Sequence, residues 1–158
     1  MRRLVVGAMI VVANHVAIAR TGDEASSLEP GRAIYQQHCA SCHGANAEGA
    51  PNWQVHDAHG ELPAPPHNTE GHTWRHSDAE LYQMVNKGWR DPFNKTQRLT
   101  MPAFGEELSP EQIRAVIAYL KTLWTSEQRQ FQLEESQGHP FPSEVAITLH
   151  QGLDCDHK

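Results

Sequence analysis

The sequence predicts an all-α protein whose helices are separated by long irregular loops. Three observations predict it. Two serines open capping boxes, at Ser77 and Ser109. A row of apolar residues at helical spacing follows the second box. The stretches between are rich in Gly, Pro, Asn and His and carry neither a helical nor a strand period.

The elements follow in order. Thr21 to Glu29 is polar and reads as a loose leader. Pro30-Gly31-Arg32-Ala33-Ile34-Tyr35-Gln36-Gln37-His38 reads as a helix start and a short helix, since Pro is accepted in a first turn. Residues 40 to 75 read as loop. In Ser77-Asp78-Ala79-Glu80 the serine caps a helix and Glu80 reaches back; Leu81, Met84 and Val85 then recur on one side, and Gly88 is the stop. Residues 89 to 108 are a second loop, holding Met101-Pro102. Ser109-Pro110-Glu111-Gln112 is the strongest start, with Pro at the first helical position. Ile113, Val116, Ile117, Leu120, Leu123 and Trp124 share its buried face. Ser126 to Ser136, with Phe131, continues or restarts a helix that His139-Pro140-Phe141-Pro142 ends. Val145 to Leu149 is too short to assign to strand or helix. There are no convincing internal repeats.

A chain of 158 residues with 39% hydrophobic and 7% aromatic content has a lean core, which a bound apolar cofactor would enlarge. The net charge of −6 and the lack of a basic stripe argue against a nucleic-acid partner. The first residues resemble an export signal: Arg2 and Arg3, an apolar stretch from Leu4 to Ala13, and Ala17-Ile18-Ala19 before a cut ahead of Arg20. That stretch is short for a membrane span and is interrupted by Asn14 and His15, so a membrane anchor arises only if the signal stays uncleaved. The expected organisation is a signal peptide over 1–19, a leader over 20–28, a folded domain over 29–125 and a C-terminal extension over 126–158. The expected location is periplasmic.

Three cysteines are present, and two of them, with the histidine that follows, form Cys39-Ala40-Ser41-Cys42-His43. This spacing is that of covalent haem attachment. Two thiols separated by two residues can add across the two vinyl groups of one porphyrin, and the next residue then projects its imidazole at the iron. Cys39 and Cys42 are the expected thioether residues and His43 the expected proximal iron ligand. A thioredoxin-like pair needs a helix that starts at its first cysteine, whereas here a helical stretch runs into Cys39. A zinc site stays open, because His56, His59, His67, His72 and His76 could complete one.

The sixth iron ligand comes from the opposite face. Beyond the signal the methionines are Met84 and Met101. Met84 lies in the apolar row with Leu81 and Val85, which suits packing. Met101 lies in a loop and precedes Pro102, which suits a thioether aimed at iron and a raised reduction potential. Met101 is therefore the expected distal ligand, with His72 or His76 as rivals. Cys155 is left over, near His150, Asp156 and His157 in a polar tail.

These residues resemble class I cytochromes c, in particular the small bacterial monohaem kind. The resemblance covers about residues 29–125: Gly31 and Tyr35 ahead of the Cys-x-x-Cys-His motif, then Leu99-Thr100-Met101-Pro102-Ala103-Phe104, then the helix carrying Tyr119-Leu120 and Trp124. Leu62-Pro63-Ala64-Pro65-Pro66-His67-Asn68 and Gly71-His72-Thr73-Trp74-Arg75-His76-Ser77-Asp78 are similar to a subgroup of that family. The resemblance implies a handful of helices wrapped around one covalently bound haem c. It implies that the first and last domain helices cross where Gly31 meets Tyr119. It also implies a proline carbonyl hydrogen-bonded to the proximal imidazole; Pro51, Pro63, Pro65 and Pro66 are candidates, and the Pro65-Pro66 pair is preferred. The extension after Ser126 lies outside the resemblance.

The implied function is transfer of single electrons between redox partners such as a dehydrogenase and a terminal oxidase, without turnover of a substrate. An iron with both axial positions filled changes valence with little reorganisation and leaves no place for oxygen or peroxide. Two alternatives stand beside it: a haem protein that binds a ligand or reduces peroxide with Met101 displaced, and a metal-binding protein using the His-rich loop and the tail.

Overall fold

The computed structural model describes residues 21–96 and 98–143. The signal-like segment 1–19, Val145 to Leu149, and the tail with His150, Cys155, Asp156 and His157 lie outside the described residues. Helix α1 spans Thr21–Ile34 and runs through a π-helical turn, Tyr35–Cys39, into the single turn α2, Ala40–His43. After a long loop and a 3-10 turn at Thr73–Arg75 come α3 (Asp78–Lys87), α4 (Pro110–Thr122) and α5 (Ser126–Gly138). The described residues hold no strand longer than one antiparallel bridge, Trp89 with Met101. The all-α expectation with long loops therefore holds.

Four local expectations are corrected. Residues 21–29 are helical rather than a loose leader, and Pro30 sits inside α1 rather than in its first turn. Proline's fixed φ suits a helix, so its cost is one missing hydrogen bond and local crowding. The expected loop over 40–75 begins and ends in helical turns, α2 and Thr73–Arg75. Gly44, at φ 84°, is what stops α2. Met84 is half-buried and lines an open groove of 340 Å³ with His76, Glu80, Gln83, Lys87 and Trp89, rather than packing in the core. The core contribution of α3 comes from Leu81 and Tyr82.

Both serine boxes form as expected. Ser77 Oγ accepts from the Glu80 amide at 3.3 Å while the Ser77 amide donates to Glu80 Oε2 at 2.8 Å. Ser109 and Gln112 repeat the exchange at 3.3 and 2.8 Å. Helix α4 buries Ile113, Val116, Ile117 and Leu120, with Trp124 just beyond its end. These meet Ile34 and Tyr35 from the first helical segment and Leu81 and Tyr82 from α3. The crossing of α1 and α4 is close: a β-carbon on Gly31 would lie 3.0 Å from that of Tyr119. The small-against-aromatic crossing implied by the family resemblance is thus present.

The stretch after Ser126 forms one full helix with its own box, Thr125 with Gln128. Helix α5 meets α3 through polar groups and the 3-10 turn through a ring contact. Buried Gln132 donates to Asp78 Oδ1 at 2.7 Å and to Ser136 Oγ at 2.9 Å. Phe131 stays 41% exposed with its ring edge-on to Trp74. Among the described residues no helix is long and apolar enough to cross a membrane.

Candidate functional site

The Cys-x-x-Cys-His motif straddles the π turn and α2. The amide of Ala40 reaches back five residues to the Tyr35 carbonyl, so the helix widens by one residue as it enters the motif. Tyr35, fully buried, donates its hydroxyl to the Gly44 carbonyl at 2.8 Å and so ties the start of the π turn to the end of α2. Cys39 is half-buried, Cys42 is exposed, and both are free thiols. Burial, helped by Cys42, pushes the Cys39 thiol up to about 11. That is the opposite of the activated thiolate a thioredoxin-like pair requires.

His43 is 6% exposed and sits at the end of α2. Its Nδ1 donates to the Pro65 carbonyl at 2.8 Å. This assigns the proton to Nδ1 and leaves the Nε2 lone pair free for a metal. Burial lowers the His43 pKa and the Pro65 bond opposes it. The preferred proline pair therefore contains the acceptor. Its position depends on Gly49, which has φ 77° and would place a β-carbon 2.6 Å from the Pro66 nitrogen. The Gly49 amide donates to the His43 carbonyl at 2.8 Å, and the Ala50 amide to the Ala64 carbonyl at 2.8 Å. The motif and its proline acceptor are thus sewn together by one short loop.

His67 adds a contact that spacing alone does not reveal. Its ring stacks on His43 with centroids 4.0 Å apart. Its Nδ1 donates to Thr73 Oγ1 at 2.8 Å, and that hydroxyl donates on to the Pro66 carbonyl at 3.3 Å. Burial, then the neighbouring His43 and His72, hold His67 well below 6.5 and keep it neutral. Trp124 Nε1 donates to the His67 carbonyl at 2.9 Å, which anchors this loop to the end of α4.

Met101 is half-buried on the segment after α3. It exchanges two backbone bonds with Trp89, of 3.0 and 2.9 Å. Gly88 makes that approach possible: it has φ 77°, and a β-carbon there would stand 2.6 Å from the Met101 carbonyl. The Phe104 and Gly105 amides then donate to the Val85 and Asn86 carbonyls at 2.9 and 3.0 Å, satisfying the open end of α3. The rival His72 stacks against Trp53, and His76 lies 3.8 Å from Glu80. Among the described residues no three His, Cys, Asp or Glu side chains converge as metal ligands, so the five loop histidines do not assemble a zinc site there.

The donor set fits haem c: two unpaired thiols one helical turn apart, and an adjacent imidazole oriented by a carbonyl with its second nitrogen free. A helical fold holding such a motif defines a protein of the covalent-haem class. The chain matches the family model described as Cytochrome c over residues 28–124, and it belongs to the cytochrome c family. Its cofactor is covalently attached haem c, and the domain is an electron-transfer unit. It is similar to the Cbb3-type cytochrome c oxidase subunit FixP of Sinorhizobium medicae (strain WSM419), 29% identical over 98 residues. That alignment covers 61% of this chain and 30% of the relative. The FixP subunit of Rhizobium meliloti (strain 1021) gives the same figures. The CcoP subunit of Azospirillum brasilense is 26% identical over 108 residues, 68% of this chain and 32% of that protein. The chain thus spans about a third of the length of these relatives. No solved structure gives a significant match to the chain.

Proposed function

We propose that the protein is an exported single-haem electron carrier that exchanges electrons with a terminal oxidase and carries out no substrate turnover of its own. Membership of the cytochrome c family supports the electron-transfer role. The relatives are subunits of cbb3-type oxidases, which supports an oxidase as partner. The signal-like segment 1–19 supports a periplasmic location.

In this reading Cys39 and Cys42 hold the porphyrin as thioethers. His43 would bind iron through Nε2 while Nδ1 stays bonded to Pro65, a bond that fixes the ring plane and makes the imidazole a stronger donor. Met101 supplies the distal thioether from a segment pinned to the end of α3. The haem, when bound, supplies a one-electron iron couple. The buried residues around His43 exclude water from the proximal side, and the stacked neutral His67 adds no charge there. The single observation that carries the reading is the 2.8 Å contact between His43 and Pro65 beside two free thiols.

The test is the holoprotein made in cells able to mature cytochromes c. The expected result is a mass above that of the polypeptide by one haem, and a weak thioether-to-iron band that disappears in Met101→Ala. A polypeptide without added mass overturns the attachment. A band that survives in Met101→Ala overturns the distal assignment.

A further inference from the structure

The segment that carries Met101 is held from two sides. On one side the Trp89–Met101 bridge fastens it to the end of α3. The second attachment is remote in sequence and centres on Glu61. The Glu61 side chain is 7% exposed, although a carboxylate is costly to remove from water. Arg98 closes over it with a two-pronged grip: Nε donates to Oε1 at 2.9 Å and Nη2 donates to Oε2. Arg98 itself is 62% exposed, so a solvent-side guanidinium covers a buried carboxylate. Thr96 Oγ1 adds a longer contact to Oε1 at 3.5 Å. Backbone bonds run in the same direction, from the Leu62 amide to Asp91 Oδ2 at 3.2 Å and from the Lys95 amide to the His59 carbonyl at 3.1 Å.

We infer that Glu61 and Arg98 form a latch that positions Met101, holding the distal segment against the loop that follows the proximal motif. The inference rests on the reading of Met101 as distal ligand. Residues 89 and 101 close a loop, and Arg98 lies on it three residues before Met101. With the latch shut, that loop is fixed at its base by the Trp89–Met101 bridge and again at Arg98. With the latch open, the Trp89–Met101 bonds become a hinge about which the methionine can leave the iron. The grip is directional, because a planar guanidinium matches a carboxylate at two points and an ammonium matches it at one. Removing Arg98 leaves a buried carboxylate that draws water and loosens the contact between the two loops, which the Leu62–Asp91 and Lys95–His59 bonds still join.

The experiment compares full-length holoproteins carrying Arg98→Ala, Arg98→Lys and Glu61→Gln with wild type and Met101→Ala. It reads the thioether-to-iron band, the rate of carbon monoxide binding to reduced protein, and amide hydrogen exchange across 89–101. Arg98→Ala is expected to weaken the band and to speed both carbon monoxide binding and exchange by about tenfold or more, because it strands a buried carboxylate without its partner and so loosens the loop. Arg98→Lys is expected to fall between, and exchange in α1 and α4 to stay unchanged. Glu61→Gln keeps the shape and one acceptor, and serves as the milder probe should Arg98→Ala fold poorly. Wild-type behaviour in Arg98→Ala by all three readouts overturns the latch. Faster exchange with an unchanged band and unchanged carbon monoxide binding overturns its positioning role. A band that persists in Met101→Ala overturns the distal assignment on which the inference rests, a result distinct from either.

Discussion

Gly31 of α1 lies so close to α4 that a β-carbon at its position would stand 2.1 Å from the Ala115 carbonyl oxygen. That neighbour is helix backbone and cannot rotate away, so the two helices would have to move apart. The same crossing brings the Tyr35 and Tyr119 rings to 5.5 Å. Gly31→Ala is expected to destabilise the holoprotein by about 1–3 kcal/mol, the usual cost of overpacking. Gly31→Val is expected to cost more. Urea unfolding followed by helical circular dichroism checks both, and an unchanged midpoint in Gly31→Ala would show that the helices are not in close contact there.

The Ser77–Glu80 box gives α3 an acid-sensitive start. Hydrogen bonds to the Ser77 amide and then the Ser77 hydroxyl lower the Glu80 pKa below 4.5, with burial opposing. The carboxylate is thus favoured in the folded state. Its contribution is complete above the unfolded value and fades as pH falls through the lower folded value. Stability is expected to drop on acidification below 4.5, and Glu80→Gln is expected to remove a small part of that drop. Urea midpoints taken well above and well below that pH check the sign. A Glu80→Gln protein with the wild-type acid slope would count against the box.

Legibility in the sequence follows the range of the interaction. The boxes at Ser77 and Ser109 are readable because cap and partner lie three residues apart. The haem motif is readable for the same reason, since five consecutive residues contain both thiols and the imidazole. Thr125 and Gln128 offer the same local signal for α5, but the residues that follow lack an apolar stripe because the helix docks through Gln132 and Ser136. His67 on His43 and Arg98 on Glu61 join residues 24 and 37 positions apart. Such contacts come from the path of the loops, which no local period encodes. The Pro65 acceptor falls between these cases, since the family resemblance narrows the choice to a few prolines and the Gly49 turn selects one.

Gly49 offers a handle on the Pro65 carbonyl, which substitution of Pro65 itself would not remove. A side chain at Gly49 meets both a left-handed backbone and the Pro65-Pro66 peptide. Gly49→Ala is expected to cost about 1–2 kcal/mol from the backbone conformation alone. It should also push Pro65 away from His43 Nδ1. A weaker bond makes the imidazole a poorer donor and favours reduced iron, so the reduction potential should move to a more positive value. Potentiometric titration checks the direction. A potential unchanged or more negative, in a protein that is measurably less stable, would separate the turn from the ligand.

The docking of α5 makes the last prediction, because its interface is polar where an apolar one is the norm. Gln132 is 1% exposed, and its amide nitrogen donates to Asp78 Oδ1, to Ser136 Oγ and, at 3.3 Å, to the His76 carbonyl. Asp78 also receives Lys121 of α4, so one carboxylate joins α3, α4 and α5. Gln132→Leu keeps the bulk but strips donors from buried acceptors, which costs about 1–3 kcal/mol. The loss should appear as faster amide exchange in α5 and at the start of α3. The absorption spectrum and reduction potential should not change, because α5 touches neither His43 nor the Met101 segment through any of these bonds. Equal exchange in wild type and Gln132→Leu would mean that the helix is held by its few apolar contacts, chiefly Phe131 on Trp74, rather than by the shared carboxylate.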